Sequence, residues 1–302
     1  MKEILKITAS LTGVCVAAAL ILGAVYTQTK HAREAIEKRE KNHVVQELLG
    51  YGGGRHAPSD LEIHMIHRYV INDPKAGTLL GYVVPAKGEK SYLVTVDLTG
   101  KPVKALELKA KPKDIVDVIP CDMAIKAVLT DGASGTYADS YYIAVQSGKQ
   151  VGYVLPGVTQ GFKTFIKLMV SMDSQFTVTG IAITSSEEDP GLGAEIKQDY
   201  FRNQFAGKTQ DVLKKLEVDK KPLPDDYQKV LEPERTAKAG LTPDQINEIK
   251  KKHLKDNIYA LTGATISSRA VTKGVQDTVR KFVYRFDILK NAAREQNVQT
   301  AF

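Results

Sequence analysis

Residues 257–286 read NIYALTGATISSRAVTKGVQDTVRKFVYRF. Val271, Val275, Val279, Phe282, Val283 and Phe286 recur at helical spacing, which predicts an amphipathic helix beginning near Ser267 or Ser268. Thr262-Gly263-Ala264-Thr265 stands just before it. A helix N-terminus presents unpaired backbone N–H groups and the positive end of a dipole. Gly263 and Ala264 let a ligand approach the backbone, and Thr262, Thr265, Ser267 and Ser268 supply hydroxyls. This chemistry suits a phosphate. The same residue types are also ordinary helix caps, so the residues alone leave both readings open.

Upstream, strands are expected from about 139 to 184, in SYYIAVQ, QVGYVLP, TFIKLMVSMD and FTVTGIAITS. An acidic loop follows, Glu187-Glu188-Asp189-Pro190-Gly191-Leu192-Gly193, then a short helix near Asp199–Phe205. Residues 207–255 are rich in lysine and read as a solvated insertion. The insertion ends in a helix with Thr242 as cap, Pro243 in the first turn and Gln245 completing a capping box. Residues 61–109 alternate and are β-branched, which reads as a further sheet. His64 and His67, three apart on a strand, point to opposite faces and do not suit a shared metal. No metal site is expected. Gly50 to Gly54 is a break, and the last dozen residues are expected to fray.

From Ile7 to Thr29 no residue is charged. As a helix this run spans a hydrocarbon core of about 30 Å, with Tyr26 as an interfacial anchor. An uncleaved anchor is favoured over a signal peptide, because no clear A-x-A site follows. Lysines and arginines on both sides, mixed with Glu34, Glu37 and Glu40, leave the sidedness open.

The 302 residues carry a net charge of +7, with 43% hydrophobic and 25% charged residues, which supports a packed core. The positive charge is interspersed with acids and no nucleic-acid-binding motif accompanies it, so no nucleic-acid partner is expected. Cys15 and Cys121 cannot supply the four thiolates of an ordinary iron–sulfur cluster, and no C-x-x-C-H haem site exists. Electron transfer by this chain would need an organic cofactor. No acid–base pair or nucleophile for substrate chemistry is evident, so no catalytic residue is assigned. GVTQGFKT (Gly157 to Thr164) has the wrong glycine spacing for a P-loop, and Ile196 replaces the third glycine of a dinucleotide fingerprint.

Thr262 to Thr265 resembles the [S/T]-G-A-T motif of the FMN-binding domain shared by the G subunit of the Rnf ion-translocating oxidoreductase and the C subunit of the sodium-pumping NADH:quinone reductase. Residues 187–193 resemble that family's E-x-T-P-G-L-G loop, with Asp189 where threonine is usual. Gly157 to Phe162 resembles its G-Y-x-G-x segment, and Ile266 to Val271 is closer to the Rnf branch. The resemblance covers roughly residues 137–284 and the anchor.

It implies an α+β fold: a single N-terminal transmembrane helix followed by an extracytoplasmic, β-rich FMN-binding domain. FMN would be esterified through its phosphate to Thr265. Thr262, Gly263, Ala264, Ser267, Glu187, Pro190, Gly191, Leu192 and Gly193 would line the cofactor. The expected division is an anchor at 1–29, a juxtamembrane helix and linker at 30–60, a β-rich lobe at 61–136, the FMN domain at 137–286 with its insertion at 207–255, and a tail at 287–302. The implied role is electron relay within an inner-membrane complex that couples ferredoxin and NAD to ion movement, its main domain periplasmic. The implied partners are the other subunits, and a flavin transferase for maturation. The family usually has an acid three residues before the motif; here that position is Tyr259, and the nearest acid is Asp256. The quinone-reductase branch, a stand-alone flavin carrier, and a non-redox scaffold in which T-G-A-T only caps a helix are the alternatives.

Overall fold

The computed structural model describes residues 2–52, 54–130 and 132–302. Met1, Gly53 and Asp131, which fall in the stretches 1–29, 30–60 and 61–136 considered above, lie outside them. Helix α1 runs unbroken over Lys2–Leu48. The apolar anchor and the charged segment after it are one helix, because no proline or glycine pair interrupts the hydrogen-bond ladder. It is long and apolar enough to cross a membrane, with a mean hydropathy of 2.1 over its most apolar window.

Strands β1 (Leu61–Asp73), β2 (Gly77–Ala86), β3 (Lys90–Val96) and β4 (Pro102–Leu108) precede helix α2 (Val118–Lys126). Strands β5 (Ser134–Gln146), β6 (Lys149–Gln160), β7 (Phe165–Asp173) and β8 (Val178–Ser185) follow. All eight form one antiparallel sheet in the order β4-β3-β2-β1-β5-β6-β7-β8. Two meanders thus meet along β1 and β5. The boundary expected between 136 and 137 falls inside β5, and the two β-rich stretches share a sheet. Pairing satisfies edges that separate lobes would expose. Opposed residues Arg68 and Asp139 mark the seam with two hydrogen bonds of 2.5 Å.

The remaining elements are α3 (Asp199–Arg202), α4 (Gln210–Lys214), β9 (Val218–Asp219), α5 (Asp225–Leu231), α6 (Pro233–Ala239), α7 (Pro243–His253), β10 (Ile258–Tyr259) and α8 (Thr265–Glu295). Helix α8 lays Val271, Val275, Val279, Phe282 and Phe286 on one face of the sheet, against Leu155, Leu168 and Val170. Side chains alternate along a strand, so the other face has its own core. Tyr141 packs under Phe282, while its neighbour Tyr142 joins Val45 of α1 on the far side.

Two expectations are corrected. The C-terminus does not fray: α8 continues to Glu295, Leu289, Ala292 and Ala293 stay buried, and Thr300 bridges to Ala86. The apolar stripe of the helix simply runs on past 287. Residues 207–255 are not wholly solvated either. Leu213, Leu216, Tyr227, Val230, Leu231 and His253 are buried, and Lys208 is only 2% exposed. The capping box of Thr242 and Gln245 forms as expected.

Candidate functional site

Helix α8 begins at Thr265, two residues earlier than its apolar stripe suggests. A tight turn delivers the chain to it. The Leu261 carbonyl accepts the Ala264 N–H at 3.0 Å, and Gly263 takes φ +76°, which an L side chain adopts only with strain. Ser268 locks the turn from inside. Its hydroxyl accepts the Leu261 N–H at 3.1 Å and donates to the Ala264 carbonyl at 3.0 Å.

The acidic loop meets this turn. Asp189-Pro190-Gly191-Leu192 is itself a tight turn, with the Leu192 N–H bonded to the Asp189 carbonyl at 3.2 Å and Gly191 at φ +73°. Proline second and glycine third is the residue order such a turn demands. Glu188, 6% exposed, accepts the Ser267 hydroxyl and also the Lys163 N–H at 3.1 Å. Lys163 in turn forms an ion pair with Asp189. One carboxylate therefore gathers the β6–β7 hairpin tip, the loop at 187–193 and the start of α8.

The fit is close. A methyl group added at Gly263 would lie 2.9 Å from Leu192 Cδ2, and one at Gly193 would lie 2.8 Å from Ser267 Oγ. Thr262 is exposed and Thr265 half-buried, while Ala264 and Ser267 are buried. Among the described residues, the Thr262 and Thr265 hydroxyls and the N–H groups of Thr265, Ile266 and Ser267 have no hydrogen-bond partner. Three free N–H groups and a reachable hydroxyl at the start of a 31-residue helix fit the phosphate end of a nucleotide. Leu192 and Ile266, 47% and 56% exposed, offer apolar surface beside it.

Of the residues singled out from the sequence, Thr262 to Thr265, Ser267 and Leu192 to Gly193 converge. Pro190 and Gly191 form the turn that presents Leu192 and are exposed themselves. Glu187 points outward, and the buried acid is its neighbour Glu188, which the motif alone does not single out. Lys273 is exposed and lines a separate groove of about 850 Å³ between α8 and α4.

Tyr259 sits in β10, and Gln204 pairs with both its backbone groups, at 2.8 and 3.3 Å. Its phenol donates to Asp256 Oδ2 at 2.8 Å and is pushed up to about 12 by burial and by that carboxylate. Asp256 also bonds His253 Nδ1 at 2.7 Å. Burial works against its charge, but these bonds hold it below the usual carboxylate range. Lys208 reaches across to donate to the Leu254 and Asp256 carbonyls at 3.1 and 2.7 Å. Neither Gln204 nor Lys208 carries a sequence signal, because each acts through backbone groups about 50 residues away. Among the described residues no cluster of three or more histidine, cysteine or acidic side chains could hold a metal ion.

Residues 161–280 match the FMN-binding domain family, and this stretch holds the acidic loop, the T-G-A-T turn and the start of α8. The resemblance read from the sequence therefore holds, and the chain is similar to the G subunits of ion-translocating complexes. It is 32% identical over 141 residues to the G subunit of the proton-translocating ferredoxin:NAD(+) oxidoreductase complex of Clostridium ljungdahlii, covering 47% of this chain and 58% of that one. It is 30% identical over 142 residues to the Na(+)-translocating counterpart of Acetobacterium woodii, covering 47% and 54%. The chain thus spans somewhat more than half the length of these relatives. The crystal structure of Shewanella oneidensis NqrC aligns over 85% of this chain and 99% of that one, at 15% identity and a TM-score of 0.46.

Proposed function

We propose that this chain is the electron-transfer subunit of a membrane-bound, Rnf-type ion-translocating ferredoxin:NAD oxidoreductase, and that it holds FMN through a phosphoester to Thr265. One observation carries the reading: the Thr265 hydroxyl, without a partner among the described residues, stands beside three N–H groups likewise without one, at a turn that the acidic loop clamps. When bound, FMN supplies electron transfer in single steps. The chain's part is to hold and orient it. The N–H groups of Thr265, Ile266 and Ser267 would bind phosphate charge, Glu188 and Ser267 fix the loop against the helix, and Leu192 and Ile266 would offer apolar surface to the bound group.

The names of the relatives support the complex and its ferredoxin and NAD partners. The α1 helix supports membrane anchoring at residues 1–29, and the family resemblance supports a periplasmic position for the rest. The other subunits of the complex, and a flavin transferase for maturation, are the partners this role requires. The FMN domain proper is taken as 137–286, completed by the 61–136 strands of the same sheet.

The test is mass spectrometry of the full chain co-expressed with a flavin transferase. One FMN should be found on the peptide containing Thr265, absent in Thr265→Ala and retained in Thr262→Ala. An unmodified wild-type peptide would remove the covalent reading, and modification surviving Thr265→Ala would remove the site.

A further inference from the structure

The face of the sheet opposite α8 carries an apolar patch that no other described part of the chain covers. The end of α1 crosses this face, where Val45 packs with Tyr142, Val154 and Met169. Nearer the membrane span, Lys38 forms an ion pair of 2.7 Å with Asp117, the residue just before α2. Ala35 and Lys38 line one wall of a groove whose other wall includes Val116 and Ile119. Helix α2 turns Cys121 and Ile125 into the core and leaves Ile119 and Met123 outside, 75% and 69% exposed, with Val116 at 43%.

Position along α1 says what covers Val116 and Ile119, which share the groove with Ala35, and Met123 follows Ile119 one helical turn on. Ala35 lies six residues beyond Thr29, the last of the uncharged run, a rise of about 9 Å. The headgroup layer on each side of the hydrocarbon is about 5–7 Å thick. Residues level with Ala35 therefore sit at the edge of that layer, and a modest tilt of α1 brings them into it. Lys109, Lys113 and Lys126, all exposed, flank the patch in sequence; of the acids between them, Asp117 is paired with Lys38 and Asp122 accepts the Tyr69 hydroxyl, which leaves Asp114. An apolar face with basic neighbours is the pattern of a helix lying on an anionic bilayer.

We propose that Val116, Ile119 and Met123 rest on the anionic lipid surface of the bilayer that α1 crosses, seating the sheet against the membrane through α2. The proposal rests on α1 as a membrane anchor, and a separate probe reports on that.

The chain contains no tryptophan, so single introduced tryptophans report without background. The full chain is reconstituted in vesicles of phosphatidylcholine and phosphatidylglycerol with acyl chains brominated near the headgroup. Ile119→Trp should be quenched about twofold and blue-shifted, as for an interfacial helix. Tyr284→Trp, at a position 65% exposed on the α8 side, should be unaffected. Tyr26→Trp tests the anchor and should be quenched whatever α2 does. Quenching of Tyr26→Trp with Ile119→Trp no different from Tyr284→Trp would overturn the proposal and leave the anchor standing. Absence of quenching at Tyr26→Trp would overturn both. Because Ile119 is exposed, its replacement should leave the unfolding midpoint unchanged.

Discussion

The Ser267 hydroxyl donates to the carboxylate of Glu188, a residue 79 positions earlier in the chain. Both groups are buried, and the same carboxylate takes the Lys163 N–H. The bond fastens the first turn of α8 to the loop after β8, so the helix N-terminus is held rather than frayed.

Glu188→Ala leaves the Ser267 hydroxyl and the Lys163 N–H without their acceptor. The expected loss is about 1–3 kcal/mol in urea unfolding. Glu188→Gln keeps an acceptor oxygen and should cost less than half as much. Flavin incorporation, read by in-gel fluorescence, should fall in the same order. Equal effects of the two substitutions would show that charge, not the bond, matters.

Gly263→Ala forces a side chain into φ +76° and against Leu192 Cδ2. The backbone part costs about 1–2 kcal/mol. The contact part should be relieved by shortening the neighbour, so Gly263→Ala combined with Leu192→Ala should lose less than the sum of the single changes. A double-mutant cycle in denaturant measures this. Strict additivity would separate the two residues.

Lys208 is buried beneath the chain that leads into the motif, and burial lowers its ammonium to about 8, against the pull of Asp256. In the unfolded chain it titrates near 10.4. Between these values the unfolded state binds the proton and the folded state does not. Stability contributed by this group therefore rises with pH across that window. From pH 7.5 to 9.5 the wild type should gain on the order of 1–2 kcal/mol relative to Lys208→Met. Chemical denaturation at the two pH values checks it, and parallel curves would refute the shift.

Thr242→Ala removes a formed capping box at the start of α7, at the opposite end of that helix from His253. About 1 kcal/mol of stability should go, with flavin incorporation unchanged. A drop in incorporation beyond the stability loss would tie the 207–255 segment to the cofactor.

Much of the candidate site could be read in one dimension. T-G-A-T precedes a helix whose stripe is plain from Val271 to Phe286, and D-P-G-L carries its own turn signal. Glu187 and Glu188 could not be told apart that way. Both are acidic and adjacent, and only the path of the loop out of β8 decides which one turns inward. The buried Lys208 was hidden for a related reason. A lysine-rich run reads as solvent-facing, and a single exception shows only when the carbonyls of Leu254 and Asp256 are brought over it.

What the amino-acid order alone determined is local: an uncharged run long enough for a bilayer, alternating strands, helix periodicity, the caps and the glycine turns. Each depends on interactions within a few residues. The union of two meanders into one sheet, the docking of the C-terminal residues on β2, and the clamp between Glu188 and Ser267 were decided only by tertiary structure. These contacts join segments tens to hundreds of residues apart. They form because the buried edges, carboxylate and hydroxyl must find partners once water is excluded, and no short stretch of sequence names which partner that will be.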